Sequence, residues 1–262
     1  MRIARYTIGE DPAYGVVQGD GPDAVVMPLQ GDPLYLGVRP AGGAPVPLDD
    51  VRLLAPVIPR SKVVGIGRNY ADHARELGNE VPAEPMMFLV PNTAVGGPGD
   101  PVILPPGATE VHYEGELAVV IGRICKQVPV ERVPEVIFGY TIANDVTARD
   151  WQRSDGQWFR AKGSDTFLPL GPWINTHVTI EEAGTLSIET RLNDEVRQDG
   201  STSQMVRGIA ELISFITASV TLLPGDVVLT GTPAGVGSME PGDLVHVTID
   251  GLGTLSNPVV DA

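Results

Sequence analysis

Apolar positions along the chain recur mostly with period two, and turn-forming residues cut the pattern into short pieces. Ile3–Ile8, Gly15–Gln18 and Ala24–Met27 read as strands separated by Gly, Pro and Asp, and Arg39–Pro47 reads as a loop. A buried strand is expected at Lys62–Gly67, followed by a helix in NYADHARELG that Gly78 ends. Further strands are expected at Met87–Val90, Val102–Leu104, Glu110–Ile121, Phe138–Asn144, Trp173–Thr179 and Ser187–Leu192. The pattern predicts helices at Val146–Trp151, with Thr147 as cap, and at Ser203–Thr217. In the second, Met205, Ile209, Leu212, Ile213 and Ile216 fall at helical spacing. Strand–turn units at Asp226–Thr230, Leu244–Ile249 and Gly253–Leu255 close the sequence. The class is therefore mainly β (α+β). A boundary between Asp50 and Arg60 divides it into a small N-terminal β domain, 1–55, and a larger domain, 56–262.

Composition narrows the partners. The net charge of −15 leaves no basic face to neutralise phosphates, which excludes a nucleic-acid partner and an anionic membrane surface. A small anionic substrate is still admitted, because a local cation overrules the global field. Cys125 is the only cysteine, so neither a disulfide framework nor a cysteine-rich metal site is available. The opening MRIARYTIGE lacks the apolar stretch of a signal peptide, and no run approaches the roughly 18–20 apolar residues of a membrane span. A cytoplasmic location is the expectation.

The candidate chemistry begins in HYEGELAVVI. Strand side chains alternate faces, so Glu114 and Glu116 point the same way with Cβ atoms roughly 6.5–7 Å apart. Taken alone, Glu-x-Glu equally describes a solvated edge strand. Val119, Val120 and Ile121, however, carry the strand into a core, where two like charges need a cation between them. Asp145, at the end of Phe138–Asn144, offers a third carboxylate, although an aspartate there also suits a helix cap. Three carboxylates without cysteine make a hard oxygen site suited to Mg²⁺ or Mn²⁺.

Acid–base candidates lie elsewhere in the chain. On a helix, His73 and Glu76 are i, i+3 neighbours, and the carboxylate would orient the imidazole as a general base requires. Lys162 is one of only three lysines and could neutralise negative charge developing on an enolate. Arg149 and Gln152, one helical turn apart, could hold a substrate carboxylate. The segment TGTPAGVG could offer amides and hydroxyls to an anion. It is not a P-loop, and Gly65-Ile66-Gly67 is not a dinucleotide fingerprint.

With these pieces in order, the chain resembles the fumarylacetoacetate hydrolase family from about Leu53 to the C-terminus. The resemblance rests on GRNYADHARE, HYEGELAVVIG, GYTIANDVTARDWQ, RAKGSDTFLPLGPWI and LLPGDVVLTGTPAGVG. It implies a mixed β-roll catalytic domain after a small N-terminal domain, a homodimer, and one Mg²⁺ or Mn²⁺ per chain. Position by position, Glu114, Glu116 and Asp145 match metal ligands, and His73 and Glu76 match a catalytic dyad on a mobile lid. Lys162 matches the active-site lysine, while Arg149, Gln152 and Thr232 match substrate contacts. Eukaryotic members have a further aspartate ligand where this chain has Ile66, so three carboxylates plus water are expected. Relatives reading FLKP have a lysine where this chain has Val90.

The implied activity is carbon–carbon cleavage beside the enolate of a small 2-oxo or 2,4-dioxo acid, by acylpyruvate-type hydrolysis or oxaloacetate-type decarboxylation. Isomerisation or tautomerisation of related substrates is the alternative, and a catalytically silent metal- or ligand-binding member a third.

Overall fold

The structure is a computed structural model that describes residues 1–9 and 11–262. Its spine is a 12-stranded sheet whose centre is the strand Gly115–Ile121, buried at all seven positions. Leu117, Val119 and Ile121 enter a core on one face, and Ala118 and Val120 enter another core on the opposite face. Period two with apolar residues on both sides is what a strand covered on both faces requires. Ile137–Asn144 pairs antiparallel along one edge of this strand and Val227–Leu229 along the other. Val227–Leu229 in turn runs parallel to Val63–Gly67, whose outer neighbour is Met86–Val90.

Two smaller sheets complete the β framework. A five-stranded one carries Ser187–Leu192, Glu195–Ser201, Leu244–Ile249, Gly253–Asp261 and Val102–Leu104. Residues Ile188, Val245, Val247 and Leu255 of this sheet share the larger core with Leu117 and Val119. The helix Ile209–Ser219 adds Leu212, Ile213 and Ile216 to the same core.

The N-terminal residues form a small meander with its own cluster of Ala4, Tyr6, Val17 and Val26. Arg2–Thr7 also pairs with Leu168–Asn175, so the meander prolongs the central sheet. Ile3 and Leu29 help to cover the second face of that sheet.

Several elements differ from the sequence pattern. Thr147 does not cap a helix over Val146–Trp151. It pairs with His112 in a two-residue strand, its hydroxyl donates to the Asp145 carbonyl, and the helix spans Arg149–Ser154. The expected helix at Ser203–Thr217 begins at Ile209. Ser201 and Gln204 close a capping box around a single 3₁₀ turn, and Gly208 delays the α-helix. The strand expected at Trp173–Thr179 lies at Leu168–Asn175; Pro169 and Pro172 hid it, and the ladder meets Pro172 with a register irregularity. Gly78 does end the helix Ala71–Glu76, donating to the Arg75 carbonyl from the left-handed region.

Candidate active site

Glu110–Ile121 is not one strand. Val111–Tyr113 leaves the central sheet to pair with Gly237–Ser238, and Glu114 sits at the break. Two side chains hold this break. Asn144 Oδ1 accepts from the Glu114 amide at 2.9 Å, and Gln198 Oε1 accepts from the Gly115 amide at 2.9 Å. Asp145 follows the strand Ile137–Asn144, and its amide donates to the Glu114 carbonyl at 2.9 Å. In this way two neighbouring strands deliver Glu114, Glu116 and Asp145 to one point. All three are buried, and one oxygen from each lies within 4.8 Å of the others.

Cations answer part of this charge. Lys162 Nζ donates to Glu114 Oε2 at 2.8 Å and to Asp145 Oδ2 at 2.5 Å. Arg149 donates to Glu114 Oε1, to Gln152 Oε1 at 2.9 Å and to His112 Nδ1 at 3.3 Å. An arginine has five N–H donors and a lysine three, so Arg149 keeps two and Lys162 one for a bound anion. Burial works against the charge of Glu114, but Lys162 and Arg149 outweigh it and bring the carboxyl down to about 2. Burial, reinforced by Asp145 and Glu114, pushes Glu116 well above the usual carboxylate range. Burial also takes Asp145 up to about 6 despite Lys162.

Three carboxylates face two cations, and among the described residues the buried Asp145 Oδ1 has no hydrogen-bond partner. A divalent cation fits these residues: the donors are all oxygen, and its charge would offset the burial and the mutual repulsion that raise Glu116 and Asp145.

Asp145 has its pKa raised from 3.8 to about 6, so its contribution to metal-free stability is full below about 4 and is lost as pH rises through about 6. Metal binding reverses that loss and needs deprotonated ligands. Mg²⁺ is therefore expected to raise Tm more near pH 8 than near pH 5, as calorimetry at both pH values would measure.

His73 and Glu76 come from the helix Ala71–Glu76. His73 is buried, with Nε2 4.0 Å from Glu114 Oε1 and Nδ1 3.6 Å from Glu76 Oε2. Burial lowers the pKa of His73, which favours the neutral imidazole a general base needs. Glu76 itself is bonded to the Gly235 amide at 3.1 Å, which pins the helix to the glycine-rich loop after Val227–Leu229. Only glycine serves at 235, where φ is +102° and a Cβ would come within 2.0 Å of the Arg197 carbonyl oxygen. Upstream in that loop, the Gly231 amide donates to Glu116 Oε2 at 2.8 Å, and the Thr232 hydroxyl donates to the Gly115 carbonyl at 2.9 Å.

All the residues singled out from sequence thus gather at one cavity of about 370 Å³, with Glu76 standing behind His73. Sequence reasoning missed Gln198, Asn144 and the wall of Phe88 and Trp158. Nothing in EVRQDG marks Gln198, yet it is fully buried and its amide nitrogen donates to Thr232 Oγ1 and the Pro233 carbonyl, both at 2.8 Å. Gln198→Ala would strand the Gly115 amide and the Pro233 carbonyl. It is expected to cost about 2–4 kcal/mol of stability, read from the midpoint of urea unfolding.

The fold and this site define an enzyme class. The chain belongs to the fumarylacetoacetate hydrolase family: the family described as Fumarylacetoacetate (FAA) hydrolase C-terminal matches residues 62–260, and an Rv2993c-like N-terminal family matches residues 1–56. Its members include isomerases, tautomerases and hydrolases. The structure of 5-carboxymethyl-2-hydroxymuconate delta-isomerase from Mycobacterium smegmatis superimposes with a TM-score of 0.92 at 50% identity, over 100% of both chains. Maleylpyruvate hydrolase from Sphingobium sp. SYK-6, in complex with manganese(II) and pyruvate, gives 0.81 at 34% identity, again over 100% of both chains. The mitochondrial oxaloacetate tautomerase Fahd2a of Rattus norvegicus is 43% identical over 82% of this chain and 71% of its own. No helix among the described residues is long and apolar enough to cross a membrane.

Proposed function

We propose that the protein cleaves a carbon–carbon bond in a small 2-oxo or 2,4-dioxo acid, with Mg²⁺ or Mn²⁺ held by Glu114, Glu116 and Asp145. The observation that carries this reading is the meeting of three buried carboxylates, Lys162, Arg149 and the His73–Glu76 pair at one cavity. When bound, the cation supplies Lewis acidity that withdraws electrons from a 2-oxo carboxylate.

The protein's own groups supply the rest. Two remaining N–H donors of Arg149 and the remaining one of Lys162 suit the substrate carboxylate and the oxygen on which charge develops. Neutral His73 takes a proton at Nε2 from a water, which attacks a carbonyl two carbons beyond the keto group. The bond between that carbonyl and the carbon beside the keto group breaks, its electron pair stays on that carbon, and a proton returns there. Where a carboxylate stands in place of the second carbonyl, carbon dioxide leaves and no water attack is needed.

One observation favours a second reading. Glu76 is committed to the Gly235 amide and stands 3.6 Å from His73, so in this arrangement His73 lacks its orienting bond. Tautomerisation needs no attacking water, so a site in that state would suit it, with the Lys162 ammonium donating a proton to the enolate carbon after the enol has given up its hydroxyl proton. An ultraviolet assay with acylpyruvates, oxaloacetate and hydroxymuconate-type dienes, with and without Mg²⁺, tests the proposal. Mg²⁺-dependent loss of an acylpyruvate or of oxaloacetate is expected. Turnover of dienes alone would favour isomerisation, and no turnover of any would overturn the reading.

A further inference from the structure

Four cations line the cavity, and three have carboxylate partners: Lys162 and Arg149 on Glu114, and Arg153 on Glu110. Among the described residues, the half-buried Arg68 has no carboxylate within 4.0 Å and no acceptor for its guanidinium. In a chain of net charge −15, an arginine kept clear of carboxylates inside a cavity calls for a ligand.

The backbone around Arg68 is fixed from both sides. Its φ is +58°, a conformation that a side-chain-bearing residue keeps only when its neighbours impose it. Asn69 does so with Nδ2, which donates to the Thr230 carbonyl at 2.9 Å and the Arg207 carbonyl at 3.1 Å. On the other side, Trp158 lies so close to Gly67 that a Cβ there would come within 2.7 Å of its ring.

These contacts also set an order along the cavity wall. Lys162 Nζ stands 4.9 Å from the centroid of the Phe88 ring, that ring lies 5.4 Å from Trp158, and Trp158 rests on Gly67, the residue before Arg68. Lys162 thus lies at one end of an apolar aromatic wall whose other end rests against the residue before Arg68, itself part of the cavity lining. We propose that Arg68 binds the second carboxylate of a dicarboxylic 2-oxo acid whose first carboxylate is held near Lys162 and Arg149. This rests on the 2-oxo acid reading of the site and adds the substrate's charge and the residue that selects it. A guanidinium offers a carboxylate two parallel N–H donors, which a planar dianion lying along the wall can use.

The test compares two unreactive probes by calorimetric titration of the Mg²⁺-loaded protein: oxamate, with one carboxylate, and N-oxalylglycine, with two. The unsubstituted protein is expected to bind N-oxalylglycine about tenfold or more tightly than oxamate. Arg68→Met should remove that preference while changing oxamate affinity by less than about twofold, and Arg68→Lys should keep part of it. Arg68→Gly adopts the left-handed backbone freely, so the same loss there separates charge from folding. Equal weakening of both probes, or unchanged affinity for both, would overturn the assignment of Arg68. If the unsubstituted protein binds neither probe, the failure lies with the 2-oxo acid reading itself, and the role of Arg68 falls with it.

Discussion

Replacing Glu116 by glutamine is expected to abolish Mg²⁺ or Mn²⁺ binding while leaving the metal-free protein as stable as before. Burial and two carboxylate neighbours hold Glu116 in its protonated form when no cation is present, and a glutamine amide reproduces the shape of that form. The Gly231 amide, 2.8 Å from Glu116 Oε2, keeps an acceptor if the new carbonyl takes that place. Metal-free Tm should therefore correspond to a change within about 1 kcal/mol. Loss of groups that merely support a metal ligand costs about 10–100-fold in affinity, so loss of the ligand should cost at least about 100-fold. Calorimetric titration with Mn²⁺ and Tm with and without Mg²⁺ check both halves. A variant that still gained stability from Mg²⁺ would remove the carboxylate cluster from the metal role.

His73→Ala separates the chemical outcomes. General base catalysis contributes about 10²–10⁴-fold, and kcat for acylpyruvate hydrolysis should fall by that factor. Decarboxylation of oxaloacetate requires no activated water, so its kcat should fall far less. His73 Nε2 is 4.0 Å from the nearest carboxylate oxygen of Glu114 and makes no hydrogen bond to it, so metal affinity should survive. Steady-state kinetics on both substrates, beside a Mn²⁺ titration, give the answer. Unchanged hydrolysis would eliminate His73 as the base.

The parts of the site that sequence exposed are those whose chemistry is carried by the residue itself. Glu114 and Glu116 stood out because an apolar strand does not accept two acids without cause, and the geometry does bring Asp145 to them. His73 and Glu76 share a helix, so local spacing sufficed. Gln198 and Asn144 were invisible because their importance lies in which main-chain groups they satisfy, and those belong to distant segments. The break at Glu114 was hidden for the same reason. Alternation in HYEGELAVVI continues across it, and only the pairing of Tyr113 with Gly237 shows that the strand changes sheets. Thr232, expected as a substrate contact, lines the cavity, and its hydroxyl also links Gly115 to Gln198, a link no spacing rule reveals. In the fold, the misplaced elements at 173–179 and 203–217 lie next to proline, glycine or a local cap, where short-range signals compete with the long-range ladder, and at 146–151 the pairing of Thr147 with the distant His112 takes the place of the expected first helical turn.

The parallel ladder between Val63–Gly67 and Val227–Leu229 bears on how the protein is made. It brings the late segment Gly231–Thr232 beside residues translated far earlier, and contacts of such long sequence separation form late. A nascent chain emerging from the ribosome therefore carries its acidic residues without their backbone support until most of the polypeptide has been synthesised. A product terminated before that segment would leave Glu116 without the Gly231 amide and Ser187–Leu192 without its partner Leu244–Ile249, an open edge prone to aggregate.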